Sequence, residues 1–343
     1  MPRVWSTNDW DPLEEIILGT ARGLTPPPVD VSLRHFFEPP ADAHREKVRA
    51  DRLLRVVEET EEDLHDLAEL LDRAGVTVRR PQPLKPESWF SAPGWASVAM
   101  HALMPRDCLL VVGDRIIEAP MAMRARYFDT LPFRRELNAY FEDGAVWLSA
   151  PKPELVDSTY VYEHGRSVVS ENEPLFDGAN VLRCGRDVFF NVSNTGNRKG
   201  AEWLRRVLGS EYRVHEMSIC SDHVGTTLHI LRPGLLLANA GRLSQDMIPA
   251  PLRSWRTIWV DEPEDDGYAF SWARASVWIG MNILALGPDK VVVPSNQTRI
   301  MRQLEAAGVE PVPARFRHGR TVGGGFHCCS LDTRRSGELG DYL

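Results

Sequence analysis

Apolar residues along the chain follow two rhythms. From about Ala43 to Ala74, Val48, Leu53, Val56, Val57, Leu64, Leu67, Leu70 and Leu71 form a stripe between charged residues. That spacing predicts one long amphipathic helix with a solvated charged face. Elsewhere the apolar runs are short, rich in Val, Ile and Leu, and bounded by Gly, Pro and Asp, which predicts β-hairpins. Four stand out: Cys108 to Val112 turning at Gly113-Asp114 into Ile116-Ile117, and Val181 to Cys184 turning at Gly185-Arg186 into Val188 to Phe190. The others are Thr227 to Leu231 turning at Pro233-Gly234 into Leu235 to Leu237, and Ile283 to Leu286 turning at Gly287-Pro288-Asp289 into Val291 to Val293. Glu14 to Leu18 begins a similar unit.

Each hairpin has a partner, an amphipathic helix that ends at Gly and runs into a strand. Leu71 to Val78, Tyr140 to Trp147, Val207 to Gly209 and Leu304 to Val309 carry this pattern, and Leu252 to Val260 is a degenerate copy without the Gly. Glycine suits those positions because the residue after a helix often turns left-handed. The units recur every roughly 45 to 70 residues, a spacing at which propellers and arrays are to be considered. The Pro-rich stretches Thr25 to Asp30 and Pro81 to Pro93 read as ordered surface loops rather than linkers, so residues 1–343 are expected to form a single domain.

The repeat gives meaning to the residues that stand before each hairpin: Asp107, Asp177, His223 and Asn282. If the units surround a common axis, these four converge on it; as isolated residues they would pass for turn or cap residues. A second informative segment is Gly323-Gly324-Gly325-Phe326-His327-Cys328-Cys329. Three glycines in a row indicate a sharp turn or a close approach to the backbone. Cys328 beside them is a candidate nucleophile, against the alternative of a small buried core residue. His327, Cys328 and Cys329, with His318 nearby, lack the separated ligand pairs that wrap a tetrahedral ion, so no metal is expected.

Composition narrows the class. With 343 residues, 43% of them hydrophobic, the chain can bury a large core. Its net charge of -8 argues against a nucleic-acid surface. No apolar run approaches the roughly 18 residues needed to span a membrane, and the first residues lack the apolar core of a signal peptide. The five cysteines show no paired spacing, which fits free thiols in the cytoplasm.

A thiol, an imidazole and two carboxylates suit attack on a guanidinium carbon. Carboxylates match the parallel N–H donors of the planar group. A histidine can protonate the departing amine and deprotonate the incoming one. A cationic substrate helps to populate the thiolate.

At these residues the sequence resembles the glycine amidinotransferase family, whose members include enzymes of antibiotic biosynthesis. The likeness runs from Asn8-Asp9-Trp10-Asp11-Pro12 through Gly75 to Pro81, Met104-Pro105-Arg106-Asp107, Ile117 to Met121 and Ala150 to Pro153. It is strongest at Glu173 to Ala179, Gly185 to Phe189, and Gly323 to Cys328 with Asp332-Thr333-Arg334-Arg335. The resemblance implies an α/β fold, a propeller of five ββαβ-type modules with pseudo-fivefold symmetry around a central active site. It also implies Cys328 as nucleophile, His223 as acid and base, and Asp177 as its orienting partner and a guanidinium contact. Asp107 becomes a second guanidinium contact and Arg242 the residue holding the donor's carboxylate. No cofactor is implied; the partners are a small-molecule guanidine donor, arginine or an analogue, and an amine acceptor, and a homodimer is plausible by analogy.

One departure matters. The family has His-x-Asp where this chain reads His223-Val224-Gly225. Losing a charge-assisted contact costs roughly 1.5 to 3 kcal/mol unless another group replaces it. Asp222 is the available replacement, although neighbouring residues of a strand face opposite ways. Asn282 and Ser276 are further substrate-contact candidates with capping as their alternative. His327 either tunes the thiol or serves the backbone, and Cys329 is read as packing. The competing functions are a guanidine hydrolase, in which water resolves the intermediate, and a binding protein that has lost catalysis through Gly225.

Overall fold

The computed structural model describes residues 4–37, 50–270 and 273–343. Five three-stranded sheets share one topology: an antiparallel hairpin whose second strand pairs in parallel with a third. Four are contiguous in sequence. Module one pairs Leu109–Val112, Arg115–Glu118 and Val146–Ser149, with the helix Arg134–Glu142 as the crossover. Module two uses Val181–Cys184, Asp187–Asn191 and Arg213–Met217 around the helix Arg198–Leu208. Module four uses Leu284–Gly287, Lys290–Pro294 and Glu310–Ala314 around Thr298–Ala306. Module three, with Leu228–Arg232, Leu235–Asn239 and Arg256–Val260, crosses over through the short 3-10 turns Gln245–Met247 and Ala250–Leu252, which explains why its sequence copy looked degenerate.

The fifth module is assembled from both ends of the chain. Ser330–Arg335 pairs antiparallel with Leu13–Leu18, which pairs in parallel with Thr77–Arg79 after the helix Ala50–Arg73. Of the predicted helix, residues 43–49 lie outside the described residues. Val56, Leu64, Leu67 and Leu71 bury its predicted stripe. Gly75 and Gly308 follow their helices at φ 82° and 75°, the left-handed conformation expected there.

Hairpin strands such as Leu109–Val112 and Asp187–Asn191 are buried at every residue. They lie between neighbouring modules, so both faces are covered and the sequence shows continuous apolar runs rather than alternation. Two extra hairpins, Trp89–Ala92 with Trp95–Val98 and Tyr160–Glu163 with Arg166–Val169, decorate the ring. The first corrects the reading of Pro81 to Pro93 as loop. Trp89 is 66% exposed, and a strand that buries so little carries almost no periodic signal.

Charge closes the ring. Asp332 is fully buried on the C-terminal strand and accepts from Arg106 at 2.6 Å, Arg335 at 2.7 Å and Arg183 at 2.8 Å. Arg183 also pairs with Asp9. These contacts join modules one and two to both chain ends. No described helix is long and apolar enough to cross a membrane.

Candidate active site

A short turn introduces the first strand of each module: Pro105–Cys108, Gly178–Asn180, Val224–Thr226, Val277–Met281 and, before Ser330, the glycine-rich segment 323–329. Successive turns touch one another, and the last is joined to both neighbours. The Nε of Arg106 donates to His327 O at 2.9 Å, and the N–H of Cys328 donates to Asn282 Oδ1 at 2.9 Å. The residues at these turns therefore face one cavity of about 270 Å³, lined by Asp107, Asp177, His223, Asn282 and Cys328 among others.

The acidic wall is rigidly held. Asp177 caps the turn Gly178–Asn180, its own N–H donating to Asn180 Oδ1 at 2.9 Å. Its Oδ2 accepts from His223 Nε2 at 2.9 Å. On the other ring nitrogen, His223 Nδ1 stands 3.6 Å from Asp107 Oδ1. Asp107 Oδ2 accepts from Arg126 Nη1 at 2.6 Å, whereas its Oδ1 has no hydrogen-bond partner among the described residues. Burial works against a charge on His223, but Asp107, the bond to Asp177 and the charge of Asp222 outweigh it and raise the imidazole to about 9. His223 is therefore an imidazolium at neutral pH.

Cys328 is buried, and burial above all, with Asp107 adding to it, pushes its thiol up to about 12. The backbone of Gly325, Arg106 and Asn282 act in the opposite direction without cancelling the rise. A cation placed between thiol and carboxylates would favour the thiolate. The glycines before Cys328 permit close packing: a Cβ on Gly324 would stand 2.6 Å from Met104 Cε and one on Gly325 2.8 Å from Asn282 Cβ.

The remaining nominees fall into two groups. Arg242 Nη1 donates to Thr226 Oγ1 at 3.1 Å and Thr227 Oγ1 at 3.2 Å, Nη2 donates to Ser276 Oγ at 3.4 Å, and Asp222 Oδ1 stands 3.6 Å from Nη1. Asp222 lines the cavity beside His223, against the expectation that adjacent residues face opposite ways, because residues 221–222 form a bend and not a strand. Asn282 instead supports the backbone: Oδ1 accepts from Gly325 N at 3.2 Å as well as from Cys328, and Nδ2 donates to Gly225 O at 3.1 Å. A Cβ at Gly225 would lie 2.9 Å from that Nδ2.

His327 is not part of the cavity wall. Its ring packs edge-on against His229 with centroids 5.3 Å apart, and burial, with Arg106 adding to it, holds its pKa down at about 3. Cys329 sits in an apolar cluster with Leu18 and Phe326. Among the described residues no group of three or more His, Cys, Asp or Glu is placed to hold a metal ion. Sequence reading missed Arg126, Arg274 and His101, all of which line the cavity. No motif or hairpin position flagged them.

Five like modules whose turns meet at one cavity define the class of α/β propellers. No family model matches the chain. It is 46% identical over 342 residues to inosamine-phosphate amidinotransferase 1 of Streptomyces glaucescens, covering 98% of this chain and 97% of that protein. The solved inosamine-phosphate amidinotransferase of Streptomyces griseus superposes with a TM-score of 0.93 at 43% identity, covering 99% of each chain. An amidinotransferase of Microseira wollei from the saxitoxin biosynthetic pathway gives a TM-score of 0.90 at 35% identity, over 99% of this chain and all of that one. The chain belongs to the amidinotransferase family, the transferases of amidino groups.

Proposed function

We propose that this enzyme moves an amidino group from arginine or a close analogue to an amine of specialised metabolism by a ping-pong reaction through Cys328. The observation that carries the reading is His223 held between Asp177 and Asp107 in the same cavity as the Cys328 thiol. The donor guanidinium lies against the free Oδ1 of Asp107 and lowers the thiol pKa by its charge. The Cys328 thiol gives its proton to solvent as the cationic donor binds, the thiolate bonds to the guanidinium carbon, the bond from that carbon to the donor amine breaks, and His223 protonates the leaving nitrogen. The amidino group stays on sulfur as a thiouronium. An acceptor amine, deprotonated by His223, then attacks the same carbon and expels Cys328 as a thiolate, which regains its proton from solvent when the product leaves.

Arginine is favoured as donor by the adjacent, opposite charges of Arg242 and Asp222, which suit the α-carboxylate and α-ammonium of an amino acid. In this reading Asp222 serves the donor's far end and does not replace the carboxylate absent at Gly225. By likeness to its relatives, the acceptor is an amine such as an inosamine phosphate. The chain is read as one domain, since both its ends share the fifth sheet, and as cytoplasmic, since its cysteines are free; a homodimer is proposed from family analogy alone.

Intact-mass measurement after mixing with arginine tests the scheme. One added amidino group on wild-type protein and none on Cys328→Ser is the expected result. Citrulline and ammonia with every acceptor would instead make it a hydrolase, and no adduct with any guanidine would make it a binding protein.

A further inference from the structure

Among the described residues, Arg126 and Arg242 line the cavity and both are engaged, Arg126 by Asp107 and Asp129, Arg242 by three hydroxyls and Asp222. Arg274 also lines the cavity, yet its guanidinium has neither a carboxylate nor a hydrogen-bond acceptor among the described residues. Its backbone is fixed, with N–H donating to Arg320 O at 2.8 Å, and its Cβ packs closely over Gly323. Burial alone moves its pKa, down to about 10, and nothing opposes that cost. A guanidinium kept partly desolvated without a counter-charge is destabilising unless an anion joins it.

The donor leaves this position unfilled. Asp107 and Asp177 face its guanidinium, and Arg242 with Asp222 face its amino-acid end. The acceptor must bring a nitrogen to the carbon on Cys328, and the segment from Gly323 to Cys328 joins the wall beside Arg274 to the thiol. We infer that Arg274 is the residue that recognises an anionic group, phosphate or carboxylate, on the acceptor amine and so selects the acceptor. The inference rests on the amidino-transfer reading and assigns the acceptor's anion to a guanidinium with no partner among the described residues. Planar, paired N–H donors suit either oxyanion.

Wild type is compared with Arg274→Gln and Arg274→Lys in two kinds of measurement. The first needs no chemistry: inorganic phosphate and acetate are titrated into each protein by calorimetry. Arg274→Gln is expected to lose roughly tenfold or more in affinity for the anion that the wild type prefers, and Arg274→Lys to lose less. The second separates the half-reactions. Formation of the Cys328 adduct from arginine is timed by intact mass, and its discharge is then timed with inosamine phosphate against inosamine and with glycine against glycinamide. Arg274→Gln is expected to shrink the preference for the charged member of one pair by about ten- to a hundredfold, while slowing adduct formation far less. The pair affected tells phosphate from carboxylate. Unchanged anion affinity, or a loss confined to adduct formation, would overturn the assignment; the second result would give Arg274 to the donor. If wild-type protein forms no adduct, the transfer reading fails separately, and the anion titration still decides whether Arg274 is an anion receptor.

Discussion

Asn282 holds the main chain of Cys328, its side-chain Oδ1 accepting the cysteine N–H at 2.9 Å while its Nδ2 donates to Gly225 O. The same oxygen takes the N–H of Gly325. Replacing Asn282, which has no exposed surface, by Ala strands these backbone groups. The expected loss is roughly 2 to 5 kcal/mol of stability, read from urea unfolding, together with slower adduct formation as the thiol loses its fixed position.

Cys328 and Cys329 share one apolar cluster, but of the two only Cys328 also lines the cavity. Cys328→Ser should abolish the covalent adduct while leaving the fold intact. Cys329→Ala should keep the adduct and cost about 1 kcal/mol through a small core void. Because burial raises the Cys328 thiol pKa and a nearby cation lowers it, a cationic electrophile such as 2-chloroacetamidine should alkylate Cys328 at least roughly tenfold faster than neutral chloroacetamide. Asp107→Asn should erase most of that preference, and equal rates in the wild type would contradict the proposed role of substrate charge.

His223 gives stability a pH signature. Its folded pKa of about 9 lies above the ordinary 6.5, so the stabilisation from the imidazolium is complete below 6.5 and is lost as pH rises through 9. Urea midpoints should therefore fall between about pH 6 and about pH 9.5, and His223→Asn should flatten this part of the profile.

Gly225 offers a gain-of-contact test. Gly225→Asp places a carboxylate next to His223, with Asn282 Nδ2 moving by a few tenths of an ångström to admit the new Cβ. A lower KM for arginine, by about tenfold, is expected, with Gly225→Ala as the control that adds the Cβ without the charge. An unchanged KM would mean that the other carboxylates already satisfy the guanidinium.

Asp332 supports the ring from outside the cavity lining. Its removal leaves Arg106, Arg183 and Arg335 with less counter-charge in a buried place, and Asp332→Ala should cost roughly 3 to 5 kcal/mol. A variant as stable as the wild type would show that the network contributes little.

The local parts of this architecture were legible because hairpins and helix ends are written in neighbouring residues. Val181 to Phe190, with its Gly185-Arg186 turn, pairs as its apolar runs indicate. Five modules could not be counted from local patterns, because the fifth draws strands from residues 13–18, 77–79 and 330–335. Positions before the hairpins led to Asp107, Asp177 and His223, whereas Arg126 and Arg274 stand at no equivalent place in a repeat. Asp222 shows the opposite failure: strand geometry was assumed where a bend turns both it and His223 toward the same space.

The pairing of Ser330–Arg335 with Leu13–Leu18 sets an order on the birth of the enzyme. A ribosome must deliver residue 335 before the early strand finds its neighbour, and Cys328 lies on the segment that arrives with that strand. An emerging polypeptide thus has no complete pocket, because the segment that carries the proposed nucleophile and the strand that closes the fifth sheet are both delivered last.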